Sequence, residues 1–113
     1  MPLIFRLVAV PLFICASTAL AANDAEIALG KRLAEENCAV CHAVTEEGAS
    51  PHPAAVPFRE LSGRYPIDSL EEALAEGIVT GHPFMPEFEL EPEEVTAFLA
   101  YLSSIQQGDA AKQ

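Results

Sequence analysis

Apolar residues recur at the spacing of a helix face in three stretches of this chain, and long segments without any period separate them. In the first, Ile27, Gly30, Leu33 and Ala34 fall on one face. Asn23 is a candidate cap, with Asp24 and Glu26 in the first turn, where negative charge suits the helix dipole. The spacing therefore predicts a helix from about Asp24 into the Cys38 region. Gly30 in mid-helix costs ~1 kcal/mol relative to alanine, which points to a second element pressed closely against it. Asp68 or Ser69 is expected to open a second helix, with Leu70, Ala73 and Leu74 inward and Gly77 as its stop. The last helix is predicted to begin near Pro92, an allowed first-turn proline, followed by Glu93 and Glu94. Its apolar stripe is Val95, Phe98, Leu99, Leu102 and Ile105.

Between these stretches the chain reads as loop. Ala43 to Pro66 holds Pro51, Pro53, Pro57 and Pro66 with Gly48 and Gly63, and Thr80 to Glu91 carries Gly81-His82-Pro83-Phe84-Met85-Pro86. A structureless loop as long as the first is uncommon in a compact domain, but it makes sense wrapped over a cofactor. No segment alternates like a strand and no repeat is present. The expected fold is all-α: three main helices joined by long loops, with Gly108 to Gln113 as a frayed tail.

The N-terminal region changes the domain count. Met1 to Arg6 carries one positive charge, Leu7 to Ala22 carries none, and Ala19-Leu20-Ala21 supplies small residues at both positions a signal peptidase inspects. This is the layout of a secretory signal peptide over residues 1–21, cleaved after Ala21. A spanning helix needs ~20 apolar residues, and this run is shorter and contains Pro11. One domain, residues 22–113, is left, with no stable membrane insertion expected. Cys15 leaves with the signal; Leu12-Phe13-Ile14 before it lacks the small residue that lipoprotein processing wants. Cys38 and Cys41 remain.

Charge narrows the partners. The whole chain has 17 Asp and Glu against 6 Lys and Arg, and its net charge is −11. Nucleic acid and anionic membranes would repel it, and charge-steered protein partners should present basic faces. The exported portion has no Trp and few aromatic residues. It is not far above the ~70–80 residues below which a chain rarely builds a sufficient core alone. A large flat apolar group would supply what is missing.

Cys38-Ala39-Val40-Cys41-His42 identifies that group. Exported cysteines are normally disulfide-bonded, and Cys-x-x-Cys-His is instead the attachment signature of a c-type haem. Two thiols three residues apart can add across the two vinyl groups on one haem edge, and the next residue, His42, then reaches the iron. Two other readings are weaker. A thioredoxin-like motif sits where a strand runs into a helix, whereas here a helix leads in. A zinc site would need Cys38, Cys41, His42 and His52 or His82 as four ligands.

For the opposite face of the iron the candidate is Met85, the only methionine left after cleavage, in a loop between Pro83 and Pro86. Pro86 biases Met85 toward extended backbone and so restricts where its thioether points. His82 is the competitor; His52, between two prolines, reads as an exposed loop residue.

At these residues the sequence resembles the class I c-type cytochromes. Gly30, eight residues before Cys38, matches the glycine of the family's first helix. Phe98 and Tyr101 match the last-helix residues that pack across it, and Met85 with Pro86 matches the sixth-ligand loop. Gly81-His82-Pro83-Phe84-Met85-Pro86-Glu87-Phe88 and Arg64-Tyr65-Pro66 resemble a subgroup of short bacterial members. The resemblance implies the cytochrome c fold around one covalent haem c, with iron held by His42 and Met85. It implies a periplasmic one-electron carrier, not an enzyme, that works between a donor dehydrogenase or cytochrome complex and an acceptor oxidase or reductase. The alternatives are a fixed cytochrome subunit of a periplasmic dehydrogenase or terminal oxidase, and a haem sensor or small peroxidase with Met85 unbound. The family also implies a carbonyl that orients the ligand histidine, usually a proline's; Pro57 is the candidate and Val56 the alternative. With no Trp to bond a propionate, Tyr65, Arg59 and Arg64 are the candidates.

Overall fold

The computed structural model describes residues 18–77, 85–87 and 89–107, with the backbone alone for 18–22. Most of the expected signal peptide, His82 and the expected tail lie outside the described residues. Helix α1 (Thr18–Asn37) is followed by a 3-10 helix (Phe58–Gly63), a short 3-10 turn (Ile67–Ser69), α2 (Leu70–Glu76) and α3 (Pro92–Ile105). Among the described residues there is no strand. The all-α expectation holds, and so do the three α-helices.

The start of α1 differs from expectation. The helix is already formed at Thr18, so Asn23 is an interior residue and not its cap. Ala19-Leu20-Ala21-Ala22 are strong helix formers, and in the uncut chain nothing there gives the backbone a reason to stop. Further along α1, Leu33 and Ala34 are buried and Ile27 packs at the edge of the core.

Helix α3 starts as its sequence suggests. Glu91 caps it, and Glu94 reaches back to the Glu91 N–H at 3.0 Å, a reciprocal capping box ahead of Pro92. Its buried face is Val95, Ala97, Phe98, Tyr101, Leu102 and Ile105. That face meets α1 at Gly30. A Cβ on Gly30 would run into the Ala97 carbonyl and lie 2.7 Å from Tyr101 Cβ. The missing side chain is what lets the two helices touch through their backbones.

The expected second helix is split. Ile67–Ser69 forms a 3-10 turn, and the α-helix proper runs from Leu70 to Glu76, with Leu74 fully buried. Gly77 ends it at φ +99°, a conformation that disfavours a side chain. The segment that begins at residue 89 is bonded to α2: the Leu90 N–H donates to the Leu74 carbonyl at 2.9 Å. The side chain of Glu87 lies over Gly77.

Candidate functional site

The Cys38–His42 segment continues the last turn of α1. The Cys38 N–H donates to Ala34 O at 2.9 Å, and the N–H groups of Cys41 and His42 both donate to Cys38 O, at 3.2 and 2.9 Å. This tight turn places Cys38 inward, Cys41 and His42 half-buried, and Val40 outward at 80% exposure. Both cysteines are free thiols. Burial pushes the Cys38 thiol up to about 11, so at neutral pH it stays protonated. Thiol–disulfide enzymes depend on the opposite, a thiolate stabilised at neutral pH.

The loop after His42 is pinned at successive residues. The Ala43 N–H donates to the Ser50 hydroxyl at 3.0 Å, the Ala43 carbonyl accepts from Phe58 N–H at 2.9 Å, and the Val44 carbonyl accepts from the Tyr101 hydroxyl at 2.6 Å. The His52 N–H donates to Cys41 O at 3.1 Å, and His52 is half-buried, not the exposed residue its neighbouring prolines suggested. The loop therefore folds back across the motif at His52.

His42 is oriented by its own ring. Its Nδ1 lies 2.8 Å from the Val56 carbonyl. A carbonyl can only accept, so Nδ1 carries a proton, and in the neutral ring the lone pair is then on Nε2, the form an imidazole takes as a metal ligand. The orienting carbonyl is therefore that of Val56 and not of Pro57. A proline is useful one position later, where its fixed φ sets the turn into the 3-10 helix at Phe58. The Phe58 ring packs on His42 with centroids 5.0 Å apart, and it meets Phe98 of α3 edge-on at 5.9 Å. That row of rings connects the histidine to the interhelical core.

Met85 is half-buried, and Pro86 and Glu87 beyond it are exposed. Among the described residues no group of three or more His, Cys, Asp or Glu is placed to hold a metal ion, which leaves the zinc reading without support. Of the propionate candidates, Arg64 and Tyr65 are exposed. Arg59 is not: its Nη1 is sealed from solvent without a partner, while Nη2 lies 3.7 Å from Glu60.

Sequence reading ranked Val56 second to Pro57 and missed Gln106 altogether. Val56 acts through its backbone, which no side-chain motif records. Gln106, just past α3, bonds the loop beneath His42 with both ends of its amide. Only its place after the last apolar turn could have drawn attention to it.

The residues present fit a covalent haem. They offer two unlinked thiols on one turn and an imidazole whose free nitrogen is defined by the bond its other nitrogen makes. A family model described as Cytochrome c matches residues 27–106. No curated protein and no solved structure matches the chain.

Proposed function

The chain belongs to the cytochrome c family, electron carriers with covalently bound haem c, and on that premise we propose that it is a periplasmic one-electron carrier with Cys38 and Cys41 as the attachment thiols and His42 and Met85 as the iron ligands. The observation that carries this reading is the Nδ1 bond from His42 to Val56, which leaves Nε2 free and held in one direction. When bound, the haem supplies a one-electron couple at its iron. The chain's own part is to keep both axial donors in place, so that little rearrangement accompanies transfer. Methionine as the second donor favours a higher potential than a second histidine would.

Met85 suits the role because its segment is anchored: Pro86 stiffens it, and the Leu90–Leu74 bond holds it along α2. Residues 65–107 carry nine Asp and Glu and no Lys or Arg. The half of the protein that contains Met85 therefore suits a redox partner with a basic face. Export rests on residues 1–21 read as a cleaved signal. No helix among the described residues is long and apolar enough to cross a membrane.

The test is Met85→Ala in protein matured in a host with haem-attachment machinery. The expected product keeps its covalent haem, loses the ferric near-infrared sulfur–iron band and binds carbon monoxide when reduced, while His82→Ala behaves as the wild type. An unchanged Met85→Ala spectrum, or loss of the band in His82→Ala alone, would remove Met85 as a ligand.

A further inference from the structure

Gln106 stands where α3 ends, as its C-cap residue with φ −62° and ψ 135°. Its Nε2 donates to the Phe58 carbonyl at 2.7 Å and to the Leu102 carbonyl at 2.8 Å, and its Oε1 accepts from the Ser62 N–H at 2.8 Å. The amide's orientation is decided by its partners, because two of them are carbonyls and the third is an N–H. One side chain thus grips both ends of the 3-10 helix Phe58–Gly63 and ties it to the last turn of α3. The adjacent backbone adds a fourth bond, Gln107 N–H to Arg59 O at 2.8 Å.

That 3-10 helix is the wall beneath His42. Phe58 lies 5.0 Å from the imidazole, and the carbonyl that accepts from Nδ1 belongs to Val56, two residues before it. Phe58 is held from both sides, its N–H by Ala43 O and its carbonyl by Gln106. A 3-10 helix this short has little stability of its own, so its placement depends on such outside bonds.

We propose that Gln106 is a positioning residue for the axial histidine. By fixing the Phe58–Gly63 segment it sets the strength of the His42 Nδ1–H to Val56 hydrogen bond, and through it the electron donation of the imidazole and the potential of the iron. This rests on His42 being an iron ligand. The direction follows from the hydrogen bond: donating Nδ1–H to a carbonyl makes the ring a more basic ligand, which favours the ferric state. Loosening the segment weakens the bond and shifts the couple toward the ferrous state.

The experiment compares haem-loaded wild type with Gln106→Leu and Gln106→Glu. Leucine removes all three bonds. Glutamate is nearly isosteric and keeps the acceptor for Ser62, but it cannot donate to Phe58, so it decides the matter if the leucine variant fails to mature. The readouts are the equilibrium with a reference redox couple and the exchange rate of the His42 Nδ1 proton by NMR. Gln106→Leu should shift the equilibrium at least threefold toward the ferrous form, about 28 mV for one electron, and both variants should exchange that proton at least threefold faster; the glutamate variant is judged on exchange alone, because its carboxylate would itself favour the ferric form. Lower thermal stability with an unchanged potential and exchange rate would make Gln106 a structural cap only and overturn the proposal. If the wild-type His42 ring lacks the NMR shifts of an iron ligand, the proposed ligation itself fails, and this inference falls with it.

Discussion

Tyr101 ties α3 to the chain two residues past His42 through its buried hydroxyl, which donates to Val44 O. Burial, then Glu35 and Glu46, raise its pKa above the ordinary phenol value; Lys31 and Glu47 line the same groove. Because the folded-state value lies above the unfolded one, the stability from neutral Tyr101 is complete below about pH 10. It is lost as pH rises through the folded-state value. Tyr101→Phe should cost about 1–2 kcal/mol in denaturant titrations at pH 7, because the Val44 carbonyl is left buried without its donor. The gap to wild type should narrow above about pH 10, and an undiminished gap there would count against the assignment. The family resemblance singled out Tyr101 as a residue that packs across Gly30, but nothing in the sequence disclosed this bond. Val56 was expected only as the alternative to Pro57, because its role belongs to a backbone oxygen and leaves no trace in the identity of its side chain.

Among the elements, the α1–α3 contact was the most legible, because an unexplained glycine in a helical stripe asks for a partner and the family resemblance pointed to the last helix. Its consequence has a clear sign. On propensity alone, Gly30→Ala would stabilise α1 by ~1 kcal/mol. The structure predicts the reverse, since the new Cβ meets the Ala97 backbone and not a flexible chain end. Destabilisation of about 3 kcal/mol or more is expected, at the upper end for overpacking. A shift of the unfolding midpoint to higher denaturant would contradict the contact. The 3-10 helix Phe58–Gly63 was not legible: six residues make only two turns, and its placement comes from Ala43 and Gln106, distant in sequence. The true start of α1 was hidden by the same weakness of local signals, since a good capping residue does not end a helix when strong helix formers precede it.

At the scale of the whole molecule, two properties meet. The described core is modest, with Leu74 and Leu102 its only large side chains buried completely, as expected of a chain that packs around a cofactor. The charge is strongly negative, with no Lys or Arg from residue 65 to 107, and such a balance bears on association and not on the fold. Under the proposed function these residues hold one haem with both axial positions filled by the protein. The most direct test of this is a redox titration of the matured protein followed by visible and near-infrared absorption. A single reversible one-electron transition between low-spin ferric and ferrous forms is expected, with the sulfur–iron band present in the ferric spectrum. A high-spin ferric spectrum lacking that band, or a protein with no covalently attached haem to titrate, would contradict it.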